Sequence, residues 1–220
     1  VVPDLKTKWI EPDQFVELSN PMSIGNDEGY FGYLWGMKAI QAPEAWDAGF
    51  TGVGAKVFIL DSGIDAEHPD LAPNLIPSLC KSFVPDEGWN VREGSYFNHG
   101  SHVAGIIAAA DNGKGIIGVA PYASIVAVKV ISEYTGSGYF SWINAGIVYA
   151  ANSGADVINM SLGARFNKNG WYQDKDNVWQ KVPAVVVQNE ILAQQRAVTY
   201  AFRKGVTIIV SAGNDAVNAD

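Results

Sequence analysis

The sequence predicts an α/β fold, a mostly parallel sheet with helices on both faces. Two observations carry this expectation. Short apolar runs at residues 56–60, 124–130, 156–160 and 206–210 alternate with helical stretches of about 10–15 residues. The run at 124–130 is rich in β-branched residues, and strands alternating with such helices argue for a parallel sheet covered on both faces. A third observation agrees with them. Functional groups of such sheets collect at the carboxyl ends of strands, and Asp61, Ser161 and Asn214 each stand where an apolar run stops.

Along the chain, residues 1–34 carry several Pro, Gly and Asn and are expected to be an irregular, surface-wrapped arm. Pro43 and Glu44 suit the first turn of a short helix, which Gly49 ends. A strand at 56–60 stops at Asp61. Asn98 is placed to cap a helix running to about Ala110, and Ala104, Gly105, Ala108 and Ala109 let it approach a sheet closely. A strand follows at 124–130. A helix at 140–152 is closed by Ser153-Gly154, and a strand at 156–160 leads into Ser161-Leu162-Gly163. The helix expected at 190–204 ends in Arg203-Lys204-Gly205, cations and glycine at the carboxyl end. The last strand is expected at 206–210.

The 220 residues suffice for one full core, and 48% hydrophobic against 17% charged residues fits a packed domain rather than a disordered chain. The formal net charge of −8 argues against a nucleic-acid partner, which requires a basic footprint. The single cysteine, Cys80, permits no internal disulfide and no thiolate metal cluster, and its expected role is that of a small buried hydrophobe. No stretch approaches the roughly 18 apolar residues of a membrane span. The chain starts Val-Val-Pro-Asp without an initiator Met, so upstream sequence is expected to have been removed or never included.

Chemistry concentrates in three pieces. In VFILDSGID, Asp61 ends an apolar strand and is followed by Ser-Gly; an acid held on a strand end can accept a hydrogen bond from a histidine and fix its tautomer. In NHGSHVAG, His99 and His102 lie at a helix start, and Gly100 lets backbone approach His99 closely. Two histidines at this spacing also suit zinc, for which Asp61 would be a third ligand, but no further ligand has convincing spacing. In TIIVSAGND, Asn214 offers a side-chain NH2 either as a turn or helix cap, or as a donor aimed at a developing oxyanion. A nucleotide-binding reading requires a G-x-G-x-x-G turn after the first strand, where Asp-Ser-Gly-Ile-Asp-Ala stands instead.

These residues resemble those of the subtilisin-like serine endopeptidases. LDSGIDAEHPDL, NHGSHVAG, GIIGVAP, GSGYFSWINAGIVYA, VINMSLG and IIVSAGN follow the family's order from about Trp35 to Asn214. The resemblance implies the three-layer fold of that family, with residues 1–34 an amino-terminal arm or prosegment remnant and residues 35–220 an incomplete peptidase domain. It implies Asp61 as the triad acid, His99 as general base, His102 as structural, and Asn214 as oxyanion donor. Ser161, Leu162 and Gly163 resemble one substrate-pairing edge, and Ser137, Gly138 and Tyr139 the other. Ser211, Ala212 and Gly213 would line the pocket for the residue before the cleaved bond. The family's Gly-Thr-Ser-Met-Ala nucleophile motif is not in the sequence, so the serine is expected downstream of residue 220, in a carboxyl-terminal portion on the same or a separate chain. A catalytically inactive peptide-binding module of the same fold is the alternative.

The resemblance further implies protein or peptide substrates, secretion, a propeptide and a structural Ca2+. For the ion, Asp70 and Asn112 would give side-chain oxygens, and Ala110, Lys114 and Ile116 carbonyls, as hard calcium requires. Phe31 falls near the place of the family's amino-terminal glutamine ligand. Residues 164–188 exceed the family pattern and carry Arg165, Lys168, Trp171, Tyr172 and Trp179. They are expected to form a lid or specificity loop at the cleft, a surface insertion, or a link to a partner domain.

Overall fold

The computed structural model describes residues 24, 28–91, 95, 98–163, 170–173 and 178–214. Five parallel strands form the sheet: β1 (Lys56–Asp61), β2 (Lys81–Ser82), β3 (Ser124–Lys129), β4 (Val157–Met160) and, last in the chain, β7 (Thr207–Val210). Their spatial order is β2-β3-β1-β4-β7. The connection leaving β1 runs to one side of the sheet and that leaving β4 to the other, so the carboxyl ends of these two neighbours make a crevice.

The pleat sorts the apolar runs onto two faces. Val57, Ile59, Ile125 and Ala127 meet α3 (His99–Ala108) through Val103, Ala104 and Ala108. Phe58, Leu60, Val126 and Val128 meet α4 (Phe140–Asn152) and α5 (Ala184–Arg203) through Ile143, Ile147, Ala197 and Ala201. The three-layer arrangement expected from the sequence is therefore the one found. Two short helices, α1 (Trp35–Ala39) and α2 (Ala42–Asp47), precede the sheet, and the Trp46 indole donates to the Val119 carbonyl at 2.9 Å.

Several boundaries differ from expectation. The Asn98 side chain makes no capping hydrogen bond; its carbonyl accepts the N–H groups of Ser101 and His102 instead, at 3.0 and 3.3 Å. Helix α3 stops at Ala108, where the Ala109 backbone turns extended. Helix α5 begins at Ala184, directly after Pro183, well before Glu190. An antiparallel hairpin, β5 (Trp171–Gln173) with β6 (Trp179–Lys181), precedes it. Lys168 and the acids Asp174 and Asp176 of that stretch fall outside the described residues, as do residues 1–23 of the arm. Phe31, by contrast, is buried with Met37, Ala42, Trp46 and Ile117, and so pins residues 28–34 to the fold while Tyr30 and Tyr33 stay exposed.

Candidate active site

Strand β1 delivers Asp61 to the crevice with its side chain 3% exposed. The first residue of α3 is His99, whose Nδ1 lies 2.9 Å from both Asp61 carboxylate oxygens. A carboxylate has no proton to give, so Nδ1 carries it and donates, which leaves Nε2 as the lone-pair nitrogen. The Ser62 N–H donates to Asp61 Oδ1 at 2.7 Å and fixes the carboxylate plane. The His99 side chain is 53% exposed, so the imidazole is held from behind and presented to solvent.

The local backbone makes this possible. The Gly100 N–H donates to Ser62 Oγ at 3.1 Å, and a Cβ on Gly100 would stand 2.2 Å from the Gly63 carbonyl oxygen. Only glycine lets α3 approach the turn after β1 so closely. Ser101 Oγ accepts the Asp65 N–H at 2.8 Å, a second tie between the same turn and helix. His102 is exposed one turn along.

The substrate-binding residues expected from the sequence are partly brought together. Ser137 and Gly138 face Leu162 and Gly163 across a cavity of about 360 Å³, floored by Phe140, Ile143, Met160 and Val210. Gln194 of α5 completes its wall, a residue that sequence reasoning missed because helical periodicity does not say which outward position meets a cleft. Tyr139 is exposed and packs edge-on against Trp142, with ring centroids 4.7 Å apart, rather than lining the cavity. Ser161 Oγ accepts the Asn159 amide at 3.0 Å. Ser211 follows β7; its N–H donates to the Met160 carbonyl at 3.2 Å and its Oγ to the Leu162 carbonyl at 3.4 Å. Ala212, Gly213 and Asn214 continue from that strand end in exposed positions. A larger hollow of about 660 Å³, between α4 and α5, includes none of these strand-end residues.

A second constellation surrounds the loop 110–116. Asp70, 4% exposed, accepts the Ile116 N–H at 3.3 Å and lies 3.4 Å from the Asn112 amide nitrogen. Gly115 adopts φ +64°, and a Cβ there would stand 2.2 Å from Asp70 Oδ2. Glu28, which the sequence did not single out, is 3% exposed; its Oε1 accepts the N–H groups of Asn112 and Gly113 at 2.6 and 2.8 Å. Its Oε2 is buried without a partner among the described residues. The Phe31 side chain, buried in its apolar cluster, has no oxygen to offer. Among the described residues no three His, Cys, Asp or Glu side chains converge as a metal site. A hard cation here would rely on loop carbonyls beside the two carboxylates.

Cys80 is half-buried; its Sγ donates to the Ile76 carbonyl at 3.3 Å and accepts the Ala127 N–H at 3.2 Å. Burial pushes its thiol up to about 11, against the small opposing effect of the Ala127 hydrogen bond.

Comparison with known proteins agrees with this geometry. Residues 52–220 match the model of the subtilase family, Peptidase_S8. The chain is 39% identical over 181 residues to the Major intracellular serine protease of Bacillus subtilis, covering 82% of this chain and 49% of that protein. It is 37% identical over 190 residues to Thermitase of Thermoactinomyces vulgaris, covering 86% of this chain and 57% of that one. With Subtilisin E of Bacillus subtilis it shares 50% identity over 129 residues, 59% of this chain and 32% of the relative. The crystal structure of fervidolysin from Fervidobacterium pennivorans, a keratinolytic enzyme related to subtilisin, superposes with a TM-score of 0.63 at 28% identity, covering 90% of this chain and 27% of that chain. The chain thus spans between about a third and somewhat over half of these curated relatives.

Proposed function

Because the chain belongs to the subtilase family, we propose that it supplies the acid, base and oxyanion donor of a serine endopeptidase whose nucleophile lies in sequence beyond residue 220. The single observation that carries this reading is the Asp61–His99 contact, with both carboxylate oxygens 2.9 Å from Nδ1. With Nδ1 protonated and held, Nε2 takes the proton of a serine hydroxyl as that oxygen attacks the peptide carbonyl. The resulting imidazolium is stabilised by Asp61 and returns the proton to the leaving amine, forming an acyl-enzyme that water then hydrolyses by the reverse sequence. The Asn214 side chain is the donor for the tetrahedral oxyanion. Substrate lies extended between the segment of Ser137 and Gly138 and that of Ser161–Gly163, adding a strand to each edge, with one side chain in the cavity they share. Ser211, Ala212 and Gly213 flank the residue before the cleaved bond, where their small size favours apolar side chains.

A Ca2+ ion is proposed at the loop 110–116. Asp70 and Asn112 would hold it through side chains, and Ala110, Lys114 and Ile116 through carbonyls. Glu28 Oε2, buried without a partner among the described residues, adds a carboxylate oxygen where the Phe31 side chain offers none. The ion would neutralise these acids and stiffen the loop. A propeptide and export from the cell are proposed on the strength of the family likeness alone. Fractionating full-length protein between medium and cells, with amino-terminal sequencing, tests both.

The test of the main reading uses the full-length protein. It should cleave an extended peptide anilide and be labelled stoichiometrically on serine by a fluorophosphonate. Asp61→Asn should lower kcat by about 10⁴-fold by favouring the wrong imidazole tautomer. Binding of the peptide without cleavage or labelling would overturn the reading in favour of an inactive peptide-binding module.

A further inference from the structure

Lys129 ends β3, in register with Asp61, and is fully buried. The pleat places it on the α3 face with Ile125 and Ala127, the face that Asp61 shares with Val57 and Ile59. Its neighbours Val126, Val128 and Val130 are 0% exposed, so the surrounding sequence is that of an apolar core strand. Its Nζ lies 3.0 Å from Glu87 Oε2 and 3.4 Å from Glu133 Oε1, and both partners are nearly inaccessible, at 8% and 2% of their side-chain surface. Two acids and one cation buried together are costly to desolvate, and an apolar trio of equal volume commonly stabilises a core as well or better. What the charged trio adds is direction: it ties two separate loops to the end of one strand.

The loop it ties most firmly leads to the cleft. Glu133 is held by its side chain, on Lys129, and by its main chain, whose N–H donates to Glu87 Oε2 at 3.0 Å. Ser132, 6% exposed, then closes the turn. Its N–H donates to the Ser137 carbonyl at 2.8 Å, its carbonyl accepts the Gly136 N–H at 2.9 Å, and its Oγ accepts the N–H groups of Tyr134 and Thr135 at 3.2 and 3.3 Å. A shift at Glu133 is therefore passed to Ser137 and Gly138, which wall the cleft cavity.

We propose that Lys129, clamped between Glu87 and Glu133, is a positioning residue that sets the segment carrying Ser137 and Gly138 at the height where an extended peptide pairs with it. The device serves substrates that reach several residues along this edge and is indifferent to those that reach only the Asp61–His99 pair. It rests on the endopeptidase reading only for its kinetic consequence.

The experiment uses full-length protein, wild type and the variants Glu133→Gln and Lys129→Met. Glu133→Gln keeps the shape and removes one charge, so it remains informative even where Lys129→Met fails to fold. Two substrates are compared, a tetrapeptide anilide and a single-residue ester. Glu133→Gln is expected to raise KM for the tetrapeptide about tenfold, with kcat changed by less than about threefold and the ester kinetics unchanged. Hydrogen exchange is measured in parallel, with amides 132–138 expected to exchange about tenfold faster and those of β1 and α4 unaltered. Equal losses on both substrates, or unchanged exchange at 132–138, would overturn the proposal. Wild-type protein inert on both substrates would overturn the endopeptidase reading instead, and the exchange result would still decide whether the trio holds this segment.

Discussion

Ser62 and Gly100, the residues that follow the acid and the histidine, are themselves joined, Gly100 N–H to Ser62 Oγ at 3.1 Å. The contact between Asp61 and His99 is thus doubled one residue further on by a contact that involves neither the Asp61 carboxylate nor the imidazole. The turn after β1 and the first turn of α3 are therefore tied by the Ser62 hydroxyl as well as by the Asp61 carboxylate.

Gly100→Ala tests this arrangement. The new methyl group would meet the Gly63 carbonyl at 2.2 Å and Asp61 Cβ at 3.1 Å, so α3 must retreat from β1. The expected cost is about 1–3 kcal/mol in unfolding free energy, the usual range for overpacking. On the endopeptidase reading, kcat/KM of the full-length protein should fall at least about 100-fold, since a displacement near 1 Å costs that much. Chemical denaturation and steady-state kinetics check the two parts separately.

The loop at 110–116 gives a second prediction. Calcium should raise the Tm of the full-length protein and chelation should lower it, with the effect growing with ion concentration as linkage requires. Asp70→Ala should abolish the calcium response. Glu28→Ala should weaken it and also lower stability in chelator by about 1.5–3 kcal/mol, because Glu28 Oε1 accepts two backbone N–H groups as a charged acceptor. An unchanged calcium response in both variants would place any ion elsewhere.

Cys80 should be almost inert. With its thiol pushed up to about 11 by burial, its thiolate fraction at pH 8 is expected to be about 100-fold below that of a thiol near 9. Alkylation by iodoacetamide under native conditions should be correspondingly slow and should reach ordinary rates only in denaturant. Fast native labelling would mean that the strand pair around Ala127 opens readily.

Glu87 makes a pH prediction. Burial alone would raise its carboxyl, but hydrogen bonds from Ser132 and the Glu133 N–H, with the Lys129 ammonium, outweigh burial and hold it below its ordinary value. A carboxyl depressed in the folded state contributes stability above its unfolded pKa of about 4.3, and loses it as pH falls through the lower folded value. Wild type should therefore exceed Glu87→Gln in Tm at pH 7, with the gap closing below about pH 4. A constant gap across that range would show that the glutamine disturbs packing rather than charge.

Much of this was legible in the sequence, for reasons that can be named. Phe58 and Leu60 on one face and Val57 and Ile59 on the other made β1 read as a doubly buried strand, and Asp61 at its end read as functional. Helix α4 has the bounds expected from its pattern, Phe140–Asn152. The start of α5 was missed because Val185, Val186 and Val187 are β-branched and read against a helix, although Pro183 marks its entry. Strand β2 is two residues long and leaves no periodicity to detect. Glu28, Gln194 and Glu87, the distant partner of Lys129, were out of reach for another reason: each acts across a separation in sequence that only the folded chain closes. The lysine itself, alone in an apolar strand, was the one visible sign.

Strand β7 has a consequence for anyone handling residues 1–220. Ile209 and Val210 are 51% and 59% exposed, and among the described residues the strand pairs only with β4. A bare parallel edge with apolar side chains is a template for any other extended chain. Residues 1–220 expressed by themselves would be expected to pair edge to edge and come out of solution. A charged residue at position 209 is the practical remedy to try first.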